Sequence, residues 1–202
     1  MRTLGLSLIL LAFPLHASAQ GPDSLRLGAH LAVGFGGDAE VDIGPLSTSA
    51  GLDPTVGAGL RLDAAVHEFV GIGATFEAFA FEADGLGSER EALLDFNIFA
   101  RLRVPIRLVN DLFVEPYVAL PFGLTIAVLE DASGNDEPWP GFNTGVLAGC
   151  WLYFSDSFFG FFLEAGWRHH QVFSERTGFG ADLDESVATH QFALHAGGSI
   201  LF

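Results

Sequence analysis

The chain has no lysine. All nine of its basic residues are arginine, and 25 Asp and Glu oppose them, for a formal net charge of −16. That balance excludes the basic footprint by which proteins bind nucleic acid. A single cysteine, Cys150, excludes a disulfide framework and any zinc site built from several thiolates. Charged residues are only 17 % of the 202, yet no stretch has the composition expected of a helical membrane protein. What is abundant is glycine and phenylalanine, 25 and 20 residues, with half the chain apolar. This argues against disorder, and the length suits one domain.

The first residues read as an export signal. Met1-Arg2-Thr3 is a short basic start, Leu4 to Leu15 is an apolar run of secretory length, and Ala17-Ser18-Ala19 supplies a small-residue cleavage pattern before Gln20. The apolar run is too short to span a bilayer, and Gln20 in place of Cys does not indicate a lipoprotein. Residues 1–19 are therefore expected to be a signal peptide and 20–202 the mature domain, in which eight arginines against 25 acids give −17.

From Leu25 the chain alternates. Leu25, Leu27, Ala29, Leu31, Val33 and Phe35 share one parity, and Arg26, Gly28, His30, Ala32 and Gly34 the other. A period of two is that of a strand with unlike faces. The pattern returns seven times, with apolar faces Val56–Val66, Val70–Ala80, Leu94–Ile106, Leu112–Phe122, Phe142–Phe154, Phe159–Trp167 and Phe192–Phe202. Of the 49 positions on these eight faces none is ionisable, and only Pro116, Thr144 and Gly198 fall outside the apolar set.

The opposite faces carry five arginines (Arg26, Arg61, Arg101, Arg103, Arg168) and five acids (Asp63, Glu77, Asp95, Glu115, Glu164), beside Phe79, Phe99, Trp151 and Phe162. A solvated face would not favour such aromatics. An apolar outside with a mixed, charge-balanced inside is the pattern of a transmembrane barrel. Connections alternate accordingly: long ones near 38–55, 82–92, 124–141 and 174–190, short ones near 67–69, 107–111 and 155–157. The fold expected is all-β, a closed antiparallel eight-stranded up-and-down barrel. The uncharged window Pro138–Ser155, with Gly141, Gly145 and Gly149 at helix-packing spacing, is a rival helix. Its own alternation and the seven other strands argue against that.

On these residues, and most specifically on the ending Phe192, Leu194, Ala196, Gly198, Ile200 and Phe202, the mature chain resembles the small eight-stranded outer-membrane barrels of Gram-negative bacteria, the OmpA/OmpX type. The resemblance implies an outer-membrane location in contact with lipid and lipopolysaccharide, and recognition of the last strand, ending in Phe202, by the outer-membrane assembly machinery. It implies a monomer with a structural or surface-interaction role. The alternatives are a lipid A-modifying barrel enzyme and a narrow channel.

An eight-stranded interior is just filled by side chains, so the ten inward charges are expected to pair. Depth along the strands suggests Arg103 with Glu115 and Arg101 with Glu77, and places Glu164, His195 and His30 together. The lipid A deacylase family resembles this chain in size and carries His-x-Ser. Here the residues two after each mature histidine are Ala32, Phe69, Gln171, Val172, Phe192 and Gly197, so no nucleophile and base carry over. Ser199 is roughly 13 Å along its strand from His195. His169 and His170 point to opposite faces and cannot share an ion. No catalytic residue and no cofactor are expected. Each long connection carries four acids, and Ca²⁺ or Mg²⁺ is the ion their oxygens would suit. Asp131, Asp136, Glu137, Asp182, Asp184 and Glu185 are the candidate ligands, against the simpler role of solubility. Cys150 falls on the lipid face as a small apolar residue.

Overall fold

The computed structural model describes residues 25–81, 91–108, 111–130, 136–155, 157–178 and 181–202. The expected signal peptide, residues 1–19, lies outside them. Ten strands follow in order: β1 (Leu25–Ile43), β2 (Leu46–Leu52), β3 (Thr55–His67), β4 (Val70–Phe81), β5 (Glu91–Arg103), β6 (Ile106–Arg107), β7 (Leu112–Glu130), β8 (Asp136–Phe154), β9 (Phe159–Gly178) and β10 (Ala181–Leu201). Eight of them close a ring, β1-β3-β4-β5-β7-β8-β9-β10, every pair antiparallel, with β10 returning to β1 from Arg26↔Leu201 to Phe35↔Phe192. Closure leaves no unpaired ladder at the level where the outer face is apolar, which hydrocarbon would not tolerate.

The two remaining strands are local. β2 folds back on the far half of β1 through a turn in which Gly44 takes a positive φ of 57°, a conformation side chains resist. β6 resumes the line of β5 after a break at Val104-Pro105, and both pair with β7. The break faces Pro116, which has no N–H to give the ladder.

Every one of the 49 positions expected to face outward is exposed or half-buried. Ile98, Leu102 and Leu31 are 68–69 % exposed, which only an apolar solvent makes favourable. The window Pro138–Ser155 is strand β8 and its turn. Among the described residues no helix is long and apolar enough to cross a membrane.

The long connections differ from expectation. β1 and β2 fill most of 38–55, β7 and β8 run to Glu130 and from Asp136, and β9 and β10 run to Gly178 and from Ala181. These three connections are largely strand. The apolar/polar alternation of residue types fades along these segments, but backbone N–H and C=O groups still need partners, and the ladder supplies them. Strands of 19–21 residues at about 3.3 Å per residue and a tilt near 40° rise roughly 50 Å, about twice an apolar band of ~25 Å. The barrel wall therefore projects beyond the membrane at the rim opposite the termini. Of the fourth connection, residues 82–90 lie outside the described residues.

Candidate functional site

The inward parity of each strand delivers its polar side chains to one shared interior, where all ten expected charges are buried, none more than 3 % exposed. They sort into levels. Near the rim that holds the termini, Glu115 of β7 accepts a bidentate pair from Arg26 of β1, Nη1 to Oε1 at 3.0 Å and Nη2 to Oε2 at 2.8 Å. In the ring of eight, β1 and β7 stand opposite each other, so this bridge spans the lumen. Arg103 adds a bond to Oε2 at 3.1 Å, and Arg101 lies 3.2 Å from Oε1 while donating to Asp63 at 2.6 Å.

The next level is aromatic. The Arg61 guanidinium sits 4.4 Å from the centre of the Phe99 ring and 5.1 Å from that of Phe162, within reach of cation–π attraction. It donates to Glu164 at 2.8 Å, and the Tyr117 hydroxyl donates to the same oxygen at 2.6 Å. Gly149 allows this packing. A Cβ there would stand 2.7 Å from the Tyr117 ring and 2.6 Å from Glu164 Cβ.

Above it lie the histidines. Arg168 of β9 reaches across the lumen to Glu77 of β4 at 3.0 Å and to Asp95 at 2.8 Å. His30 Nε2 contacts Glu77 Oε1 at 2.8 Å, and His195 Nδ1 contacts Glu164 Oε1 at 2.9 Å. His170 sits between Asp95, at 2.9 Å from Nε2, and Thr189, at 3.3 Å from Nδ1. Hydroxyl, imidazole and carboxylate in that order make a relay in nucleophilic enzymes. Here the Thr189 hydroxyl is buried, and Asp95 is committed to Arg168 and to Thr125 at 2.6 Å. Toward the far rim an apolar cluster of Ala32, Phe79, Leu93, Ala127, Trp139, Val172 and Val187 caps the stack.

Arg103 and Glu115 pair as expected, and Glu164, His195 and His30 come together as expected. Arg101 does not reach Glu77. Strands in a barrel are staggered, so equal distance from a strand end is not equal height. The ladder sets Arg101 against Gly71 and Glu77 against Asp95, six residues apart. Bridges across the diameter, Arg26–Glu115 and Arg168–Glu77, carry no sequence signal, because neighbour pairing says nothing about the opposite wall. His169 faces outward and His170 inward, as their parity requires.

Of the candidate cation ligands, Asp131 lies outside the described residues. Asp136, Asp182 and Asp184 fall on β8 and β10, and Glu137 and Glu185 are half-buried on the same strands. Among the described residues the group spaced to hold a metal ion is instead interior: His30, Glu77 and His195.

No protein-family model matches the chain, and no curated relative matches it. Solved structures do. AlkL, an outer membrane protein determined in DMPC lipid bilayers, superposes with a TM-score of 0.52 at 14 % identity, over 94 % of this chain and 95 % of that one. The outer membrane protein OprG of Pseudomonas aeruginosa gives 0.51 at 10 %, over 91 % and 97 %. Neisserial surface protein A gives 0.50 at 16 %, over 88 % and 97 %. At such identities the likeness is one of fold. A closed meander with its charges turned inward is what this chain shares with them: it has the fold of the small bacterial outer-membrane β-barrel proteins.

Proposed function

We propose that this is an integral protein of the Gram-negative outer membrane, a monomer whose solid interior bears load rather than passing solutes. Its acidic extramembrane wall would serve a structural or surface-interaction role. The observation that supports this is the cross-bracing. Arg26–Glu115 and Arg168–Glu77 run from one wall to the opposite wall at two heights, and the Trp139 cluster lies above them. A water-filled path would have to displace buried ion pairs whose separation costs several kcal/mol each. On this reading lipid and lipopolysaccharide contact the apolar face. The last strand, ending in Phe202, is the segment offered to the assembly machinery.

Two measurements test the proposal. In planar bilayers the refolded protein should give no unitary conductance steps. Lipid A mass spectra from cells with and without the protein should coincide. Steps that vanish in an inward-facing variant such as Arg168→Gln would establish a channel, and a mass change in lipid A would establish an enzyme. Either result would replace the structural role.

A further inference from the structure

We propose that His30, Glu77, Glu164 and His195 form a buried site for one divalent transition-metal ion of the zinc class. The four side chains come from four strands, β1, β4, β9 and β10, and meet at one height. One ligand atom from each of His30, Glu77 and His195 lies within 4.8 Å of the others. Glu164 Oε1 is 2.9 Å from His195 Nδ1, which is itself 3.8 Å from Glu77 Oε1. Two imidazoles with two carboxylates suit zinc-class ions, whereas Ca²⁺ and Mg²⁺ prefer an all-oxygen shell.

The outer partners of the two carboxylates are already in place. Glu77 gives its other oxygen, Oε2, to Arg168, and Glu164 gives Oε2 to Arg61. Each carboxylate is thereby held with Oε1 facing its histidine. Outer partners of this kind orient metal ligands elsewhere. The histidine nitrogens that face away, His30 Nδ1 and His195 Nε2, are buried without a hydrogen-bond partner. On its outward side neither ring is held by a fixed donor or acceptor. A metal ion on the inward nitrogen of a neutral ring leaves the ring proton on the outward nitrogen.

Charge points the same way. The ten interior charges balance overall but not level by level. Arg26, Arg101 and Arg103 outnumber Asp63 and Glu115 near the terminal rim. At the histidine level Glu77 and Asp95 outnumber Arg168, while Arg61 and Glu164 balance each other just below. One negative charge is in excess where three buried histidines lie, and a cation there would offset it. A cavity of about 10 Å³, lined by Arg61, Glu77, Glu164 and Arg168 among others, adjoins the site, room for about one water. Tetrahedral coordination at about 2.0–2.2 Å sets ligand atoms roughly 3.4 Å apart, so the 2.8 and 2.9 Å His–Glu contacts open slightly and the wider separations close.

The test uses untagged protein refolded into detergent with Zn²⁺ or Co²⁺ present, since the interior closes as the barrel folds. After gel filtration in metal-free buffer, elemental analysis should find one ion per folded barrel, and Co²⁺ should show the absorption of a four-coordinate site. His30→Gln and His195→Gln should each weaken retention at least tenfold. The outward pair His169 and His190, whose Nδ1 atoms lie 3.2 Å apart, is the control: substituting both with Gln should leave retention unchanged. Folded wild type without metal, or metal lost with the outward pair alone, overturns the proposal. Should the interior variants fail to fold, X-ray absorption of the wild-type zinc form decides. Two imidazoles with carboxylate oxygen support the site, and an all-oxygen shell refutes it.

Discussion

Glu115→Gln takes one negative charge from a level that holds three guanidiniums. Arg26 donates to both oxygens of Glu115, Arg103 to one, and Arg101 lies against the other. The side chain is 0 % exposed, so water cannot replace what is lost. The variant keeps the shape and one carbonyl acceptor but removes a carboxylate charge that three guanidiniums share. Removing one partner of a buried ion pair costs about 3–5 kcal/mol, roughly two to four orders of magnitude in the folding equilibrium. With three cations affected, the upper half of that range is expected. Urea titration in detergent, followed by the heat-modifiable gel band and the fluorescence of Trp139 and Trp151, measures it. Asp111→Asn is the internal reference, because the Arg107–Asp111 pair is solvent-exposed and should matter by no more than about 1 kcal/mol. Arg103→Met in the Glu115→Gln background should restore part of the loss, a coupling that a double-mutant cycle isolates. If Glu115→Gln lies within about 1 kcal/mol of wild type, the interior is hydrated and the argument for a solid barrel fails.

Three further outcomes are expected. Leu102→Arg sets a charge on the lipid face beside the inward Arg101 and Arg103; it should cost about 2 kcal/mol, the low end of the 2–4 kcal/mol range because Leu102 lies toward the terminal rim. Normal folding of that variant would mean the parity of β5 is misread. Gly149→Ala should destabilise by about 1–3 kcal/mol through overpacking against Tyr117 and Glu164, with a changed near-ultraviolet circular dichroism spectrum; an unchanged midpoint would show that the ring moves freely. Millimolar Ca²⁺ should raise the unfolding midpoint more than NaCl of equal ionic strength if the acidic rim binds cations, and equal shifts would leave those acids as solvated surface.

Most of the wall was legible because a strand's side chains have only two directions. Once Leu27, Leu31 and Phe35 face out, Arg26, His30 and Ala32 must face in. The same rule, with β10 neighbouring β1, brings His30, His195 and Glu164 into one group. Heights were not legible, because stagger between strands is set by ladder register. That is why Arg101 finds Asp63 rather than Glu77, and why Glu77 joins the histidines unannounced. The strand extensions were hidden as well: the sequence around Glu130, Asp136 and Glu137 does not alternate apolar with polar residue types, while the ladder continues through Leu129↔Glu137 and Glu130↔Asp136.

The ring closes so tightly that the Phe202 N–H donates to the Leu25 carbonyl at 2.9 Å. As a shape, such a ring has no first strand. Joining its two ends with a short linker and cutting instead at the turn around Ser155 would leave every ladder in place and only relocate the seam. The seam is what chain order decides. Its partners stand about 170 residues apart, against about 20 in a hairpin, and by the logarithm of loop length this separation adds only about 2 kcal/mol to closure. A permuted chain should therefore reach the same barrel with its last-closing pair of strands moved to another side of the wall.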